Sequence, residues 1–224
     1  DFRRTLKDLL ASGGAGPFGD AWGRTWISSC PLEPALEERR LDDVARARGV
    51  DPVDLLLDLS LASGLTARFR MAIVNYLEDD VAELLVDKHT VLGLSDAGAH
   101  ASQLCDACFS THLLGRWVRE KGVLALEEAV RMLTSRPAEV LGLADRGRLA
   151  VGVPADVVVF DPATVAATKL RRVSDLPAGA DRLVADAIGI EAVIVNGRVI
   201  RRLGVDDAEG ALPGKLLRHG RAGA

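Results

Sequence analysis

Histidine and cysteine are scarce in this sequence, and each shortage narrows what the chain can do. The three cysteines, Cys30, Cys105 and Cys108, are an odd number, which argues against a disulfide framework and suits a reducing cytoplasm. The four histidines, His89, His100, His112 and His219, include no pair one residue apart, so no His-x-His metal pair is present. Long apolar runs are missing too: the longest, such as Val157–Phe160, are far too short to span a bilayer. Charge of one sign is not in excess. Twenty-eight Lys and Arg against 32 Asp and Glu leave a net charge of -4, which gives no reason to expect nucleic acid or a membrane surface as partner. The first apolar stretch is broken by Lys7 and Asp8, so no signal peptide is visible. There is no internal repeat and no initial Met, and the chain is expected to be processed or a piece of something longer.

What is present is an ordinary globular composition, 48% hydrophobic and 27% charged over 224 residues, enough for one large domain or two small ones. Phe2, Leu6, Leu9 and Leu10 mark one side of an amphipathic helix, closed by a loop at Gly13–Pro17. Trp22–Ser29 leans to strand, and Pro31 and Pro34 break it. Leu36–Arg48 reads as a helix with a charged outer face. Asp51 and Pro52 then suit the N-cap and first position of another helix, which buries Leu55, Leu56 and Leu59 and stops near Gly64. Leu65–Val74 is expected to be a strand with Asn75 at its tip. Glu78–Lys88 is expected to be a helix with Val81, Leu84 and Leu85 inward.

Val91-Leu-Gly-Leu-Ser-Asp-Ala-Gly-Ala-His100 is the stretch around which the rest is organised. Its apolar start reads as a buried strand, Asp96 falls where that strand should end, and Gly98 supplies a sharp exit. An acid at the C-terminal tip of a buried strand is where an α/β barrel keeps its chemistry, although the same pattern describes ordinary turns. Helices are expected over Leu104–Lys121 and Leu126–Leu133, with a boundary at Arg136-Pro137. From Trp22 to Leu143 the strand–helix alternation argues for parallel βα units. After Asp145 the pattern changes. Gly147–Val151, Ala155–Phe160, Ile190–Val195 and Arg198–Arg202 are β-rich, with Asn196-Gly197 as a hairpin turn and 171–187 as a polar connector. A complete (β/α)8 barrel takes about 250 residues. Trp22–Ser29, Leu65–Val74 and Val91–Leu94 cannot close one, so this is either an open α/β sheet or the C-terminal half of something larger.

Several pieces, in order, carry a resemblance. They are Leu94-Ser-Asp-Ala-Gly-Ala-His100, Leu113-Leu-Gly-Arg-Trp-Val-Arg-Glu120, Leu126–Ala138, Gly147–Pro162 with its Pro-Ala-Asp-Val-Val-Val-Phe core, Val193–Arg198 and Pro213–Arg218. Together they resemble the metal-dependent amidohydrolase superfamily and, within it, the N-acyl-D-amino-acid deacylase (D-aminoacylase) branch. The resemblance implies the C-terminal part of a TIM-type barrel over residues 1–144, followed by part of a small β-sandwich over 145–224. It implies hydrolysis of a carbon–nitrogen bond other than a peptide bond, in a small N-acyl amino acid or similar amide. It places Asp96 at the end of the eighth strand as the catalytic acid, touching the metal-bound water and passing its proton to the leaving amine. One or two divalent ions, zinc foremost, would serve the complete protein.

The departures are equally plain. The family's His-x-His pair, bridging ligand and two later histidines are absent, so the main metal ligands and the N-terminal half of the barrel are expected outside this chain, which alone would retain no metal. Some deacylases place an Arg about ten residues past the catalytic Asp, where this chain has Leu104-Cys-Asp-Ala107. His100 and Asn75 are candidates to line the substrate pocket, against loop-structuring roles. Ser95 shapes the strand exit rather than attacking substrate, since no Ser-His-Asp set surrounds it. Cys105 and Cys108 have Cys-x-x-Cys spacing but no second ligand pair, which favours helix packing; Cys30 is a weaker rim candidate. The alternative function is a catalytically incompetent fragment that acts only as a structural or interaction half.

Overall fold

The computed structural model describes residues 2–12, 22–93, 95–207, 212–218 and 221–222. The expected loop at Gly13–Pro17, His219 and Leu94 lie outside them. Two compact units form, Asp1–Val81 and Ala82–Ala224, so the expected 144/145 boundary falls inside the second.

In the first unit, α1 (Phe2–Ala11) is followed by β1 (Thr25–Ser29), α2 (Leu41–Arg48), α3 (Pro52–Ala62) and β2 (Arg68–Met71). The core gathers Ile27 and Cys30 from and beside β1, Leu41, Val44 and Ala45 from α2, and Leu55 and Leu59 from α3. Cys30 is thus a core residue with no exposed surface, not a rim residue. The expected helix over Leu36–Arg48 is interrupted: Pro34–Leu36 makes a single 3₁₀ turn, Glu38 takes φ 64°, and α2 starts at Leu41. Gly49 ends α2 at φ 65°, where a Cβ would be strained, and its N–H closes back on Ala45 and Arg46. Asp51 caps α3 as expected, its carboxylate accepting from the Val53 N–H at 2.8 Å ahead of Pro52.

β1 and β2 pair antiparallel, Thr25 opposite Met71 and Ile27 opposite Phe69, and every strand pair among the described residues is antiparallel. The expected parallel βα units are therefore not what forms. One crossover helix would return the chain for a parallel neighbour, whereas two successive helices, α2 and α3, deliver it at the side where β1 ended. On α1, no residue is buried and Phe2 and Leu9 are exposed, so the expected apolar face is a minor anchor. Charge holds it to α3 instead: Arg3 pairs with Asp54 and Asp58, and Lys7 with Asp51 and Asp54.

α4 (Glu78–Val86) buries no residue either, and Leu84 is exposed rather than inward. In the second unit, Val91–Gly93 joins no sheet among the described residues. The expected long helix begins only at Phe109, because 101–104 is held in turns by long-range hydrogen bonds given below. Here α5 (Phe109–His112) runs on into a π-helix, Leu113–Glu120, in which the Lys121 N–H reaches five residues back to the Arg116 carbonyl at 2.9 Å. α6 (Leu126–Leu133) and α7 (Ser135–Val140) follow, with the break at Thr134 rather than at Arg136-Pro137. Pro137 falls in the first turn of α7, where its missing N–H costs no helical bond.

The expected strand at Gly147–Val151 does not form. Gly147 and Gly152 turn left-handed at φ 79° and 86°, and Leu149 and Val151 stand in solvent. β3 (Val157–Phe160), β4 (Ala166–Ala167), β5 (Arg171–Val173), β6 (Arg182–Val184), β7 (Ala187–Ile188), β8 (Ile190–Val195), β9 (Arg198–Arg202) and β10 (Val205–Asp206) follow, then the short strands β11 (Leu217–Arg218) and β12 (Arg221–Ala222). A four-stranded sheet in the order β10-β9-β8-β3 turns at Asn196-Gly197, the hairpin read from the sequence, with φ 46° and 79° at its two residues. The 171–187 connector is instead partly strand, with β5 and β6 forming a hairpin of their own. Val165, 1% exposed, is gripped on three sides. A Cβ on Gly115 would come within 2.8 Å of the Val165 carbonyl, one on Gly189 within 2.6 Å of its nitrogen, and Arg119 Nη1 donates to that carbonyl at 2.6 Å. No helix among the described residues is long and apolar enough to cross a membrane.

Candidate active site

Asp96 and His100 share one turn-rich loop, and both sit in the left-handed region, at φ 51° and 48°, with Gly98 between them at φ 93°. Asp and His tolerate that region better than most side chains, but it still stores strain of the order of 1–2 kcal/mol per residue. The loop is tied through its backbone. The Ala97 N–H donates to Ser95 Oγ at 3.3 Å, the Ala99 N–H to the Asp96 carbonyl at 3.2 Å, and the Gln103 and Leu104 N–H groups to the His100 carbonyl at 2.7 and 3.1 Å. Ser95 therefore shapes the turn. The Asp96 and His100 side chains are exposed, and among the described residues neither has a hydrogen-bond partner.

The β5–β6 hairpin holds this loop in place, an arrangement that the sequence reading missed. The Leu183 N–H donates to the Ala101 carbonyl at 2.8 Å, and Arg172 bridges Asp181 at 2.8 Å and the Ser102 carbonyl at 3.0 Å. A signal was available: Arg-Arg-Val and Arg-Leu-Val flank Pro177 and Gly179, which is a strand–turn–strand pattern despite its charge. The charges are satisfied across the hairpin, Arg182 with Asp175 at 2.7 Å and Arg171 with Asp186 at 3.1 Å. Arg182 holds the Asp175 carboxyl below the usual range, and Arg171, then Arg201, do the same for Asp186.

Asn75 belongs to the first unit. It stands four residues beyond β2 in a bend at φ 54°, exposed, so it is not at a strand tip as expected. Beside it Arg24 lies over the Tyr76 ring, 4.8 Å from the centroid, and donates to the Ala72 carbonyl at 3.1 Å. His89 pairs its ring with Asp87 at 3.1 Å, and His112 lies in α5. Cys105 and Cys108 are free thiols, and burial, reinforced by Cys105, pushes the Cys108 thiol up, which makes it a poor nucleophile. Among the described residues no three His, Cys, Asp or Glu side chains converge as a metal would need.

A family model for the amidohydrolase family matches residues 5–201, enclosing the Asp96 loop and most of the second unit. The chain belongs to the amidohydrolase family. It is 37% identical over 177 residues to the D-aminoacylase of Alcaligenes xylosoxydans xylosoxydans, covering 78% of this chain and 33% of that protein. Against the N-acyl-D-glutamate deacylase of the same organism, identity reaches 54% over 109 residues, 49% of this chain and 20% of the relative. The crystal structure of a D-aminoacylase, described as defining a subset of amidohydrolases, matches with TM-score 0.50 at 27% identity, over 92% of this chain and 44% of that one. This amidohydrolase chain thus spans less than half the length of the relatives it matches.

Proposed function

We propose that this chain is part of a hydrolase that removes the acyl group from N-acyl-D-amino acids, with Asp96 as its proton-transferring carboxylate. The observation that carries the reading is the family match over residues 5–201, whose span encloses the Asp96 loop, and the two deacylase relatives supply the substrate class. In such a reaction water adds to the amide carbonyl, the C–N bond breaks, and the amine departs with a proton. An exposed carboxylate on a backbone-tied turn suits both transfers: it takes the proton from water and yields it to the amine. His100, on the same loop, and Asn75 are proposed to line the substrate pocket.

In the complete protein, residues 1–144 would contribute the C-terminal portion of a TIM-type barrel and 145–224 part of a β-sandwich. The donor set among the described residues does not fit a divalent ion, and no step is assigned to one. Zinc, in this reading, is held by ligands outside the chain. The three free thiols favour a reducing, cytoplasmic setting.

The test uses protein expressed from the whole in-frame coding sequence. N-acetyl-D-glutamate should be hydrolysed and its L enantiomer left intact, and Asp96→Asn should lower kcat by about 100-fold or more while the protein stays folded. Unchanged turnover in Asp96→Asn would remove the assigned role. Absence of hydrolysis on a panel of N-acyl-D-amino acids would remove the substrate class.

A further inference from the structure

The β5–β6 hairpin has two faces of different character. Arg172, opposite Leu183, pairs with Asp181 and holds the carbonyl of Ser102. The alternate positions, Arg171 opposite Val184 and Val173 opposite Arg182, line the wall of a cleft of about 440 Å³, completed by Arg201 of β9. The two Val side chains with Ala185 and Ala187 give that cleft an apolar surface between its charges. Arg171 and Arg182 meet their Asp partners side-on through Nε and Nη2, at 3.1 and 3.3 Å to Asp186 and at 2.7 Å twice to Asp175. That geometry fixes both guanidinium planes, and among the described residues neither Nη1 has a hydrogen-bond partner. Arg201 pairs with Asp206, which is not part of the lining. With Asp206 counted, the three guanidinium groups are balanced by three carboxylates, so what the cleft offers an anion is the two Nη1 donors of Arg171 and Arg182.

We propose that this cleft is a binding site for a small aliphatic carboxylate, its headgroup taken by the Nη1 donors of Arg171 and Arg182 with Arg201, and its short chain lying on Val173 and Val184. Preset guanidinium planes recognise a planar carboxylate well, because little side-chain freedom is lost on binding. The apolar wall selects an organic acid over an inorganic anion. Since Asp175 and Asp186 are held in the ionised form by their arginines, the site keeps its charge balance through neutral pH. The assignment does not depend on the catalytic reading above.

Isothermal titration of protein expressed from the whole in-frame coding sequence with sodium butyrate, at constant ionic strength, tests it directly. Butyrate should bind saturably, and the neutral isostere butyramide should not. Arg171→Gln with Arg182→Gln should weaken butyrate binding by about tenfold or more, in line with the loss of a charge-assisted hydrogen bond. Asp175→Asn with Asp186→Asn breaks the same two ion pairs but raises the net charge of the cleft, so it should tighten binding. Mere collapse of the hairpin would weaken binding in both variants, and that result would overturn the proposal. So would non-saturable butyrate heats, or inorganic phosphate binding more tightly than butyrate.

Discussion

In the first unit, Ile27 and Leu41 have no exposed surface, and their neighbours arrive from a strand and two helices whose ends are closed by Asp51 and Gly49. In the second unit, the segment from Ser95 to Leu104 has no strand or helix, two non-glycine residues in the left-handed region, and the Asp96 and His100 side chains in solvent. The core is held by many interchangeable apolar contacts. The loop is held by a few directed hydrogen bonds, two of them from the β5–β6 hairpin, where Leu183 reaches Ala101 and Arg172 reaches Ser102. The contrast separates two tasks: the core resists unfolding, and the loop presents a carboxylate whose own side chain is spent on no structural bond.

The sharpest way to break that contrast is to attack both regions by the same kind of truncation. Ile27→Ala should cost about 2–5 kcal/mol in urea unfolding, since it empties a fully buried site between β1 and α2. Asp96→Ala should cost no more than about 1 kcal/mol, because no side-chain bond is lost and only the left-handed φ of 51° is less well tolerated by Ala. Equal losses would mean that the loop is as deeply integrated as the core.

Next in size is Gly189→Ala. Its φ of 72° disfavours a side chain, and the added Cβ would lie 2.6 Å from the Val165 nitrogen. A loss of about 1–3 kcal/mol is expected. Hydrogen exchange should show the opening confined at first to the backbone around Val165 and Arg119. An unaltered melting curve would refute this close packing.

The same contrast explains what was legible in the sequence. The N-cap at Asp51-Pro52, the helix burying Leu55 and Leu59, and the Asn196-Gly197 hairpin were readable because a few adjacent residues dictate each of them. Asp96 and His100 were readable as candidates through the motif around them, but their conformation was not. The loop's geometry depends on Arg172 and Leu183, which contribute no local pattern near residue 96. The antiparallel pairing of β1 with β2 was hidden for a similar reason. Strand and helix periodicity gives the elements, while the path the chain takes through α2 and α3 between them sets the strand direction. At Gly147–Val151, apolar content suggested a strand, but two glycines with positive φ broke it.

A smaller effect would sharpen the comparison by exposing the strain held at the loop. Asp96→Gly frees position 96 from its left-handed penalty, so stability should be kept or rise by up to about 1 kcal/mol, even as the proposed catalytic carboxylate is lost. Thermal unfolding of the two proteins side by side would measure it. A clear destabilisation by Gly would show that the Asp96 side chain does structural work after all, and the division between core and loop would need redrawing.

The most delicate effect is at the edge of the core, where α1 is attached to α3 by charge rather than by burial. Lys7, then Arg3, hold the Asp54 carboxyl below its usual value of 3.8. A carboxyl depressed in the folded state binds its proton more readily when unfolded. Its contribution is therefore complete above about pH 4 and is lost as the pH falls through the lower folded value. Amide exchange in α1, read at several pH values from neutral to acid, should accelerate selectively in that acidic window while the amides of Ile27 and Val44 remain protected. Asp54→Asn should give the faster α1 exchange already at neutral pH and flatten its dependence on acid. If α1 instead stayed protected until the core itself opened, its attachment would rest on Leu6 and Leu10, and the apolar logic of the core would extend to the end of the chain.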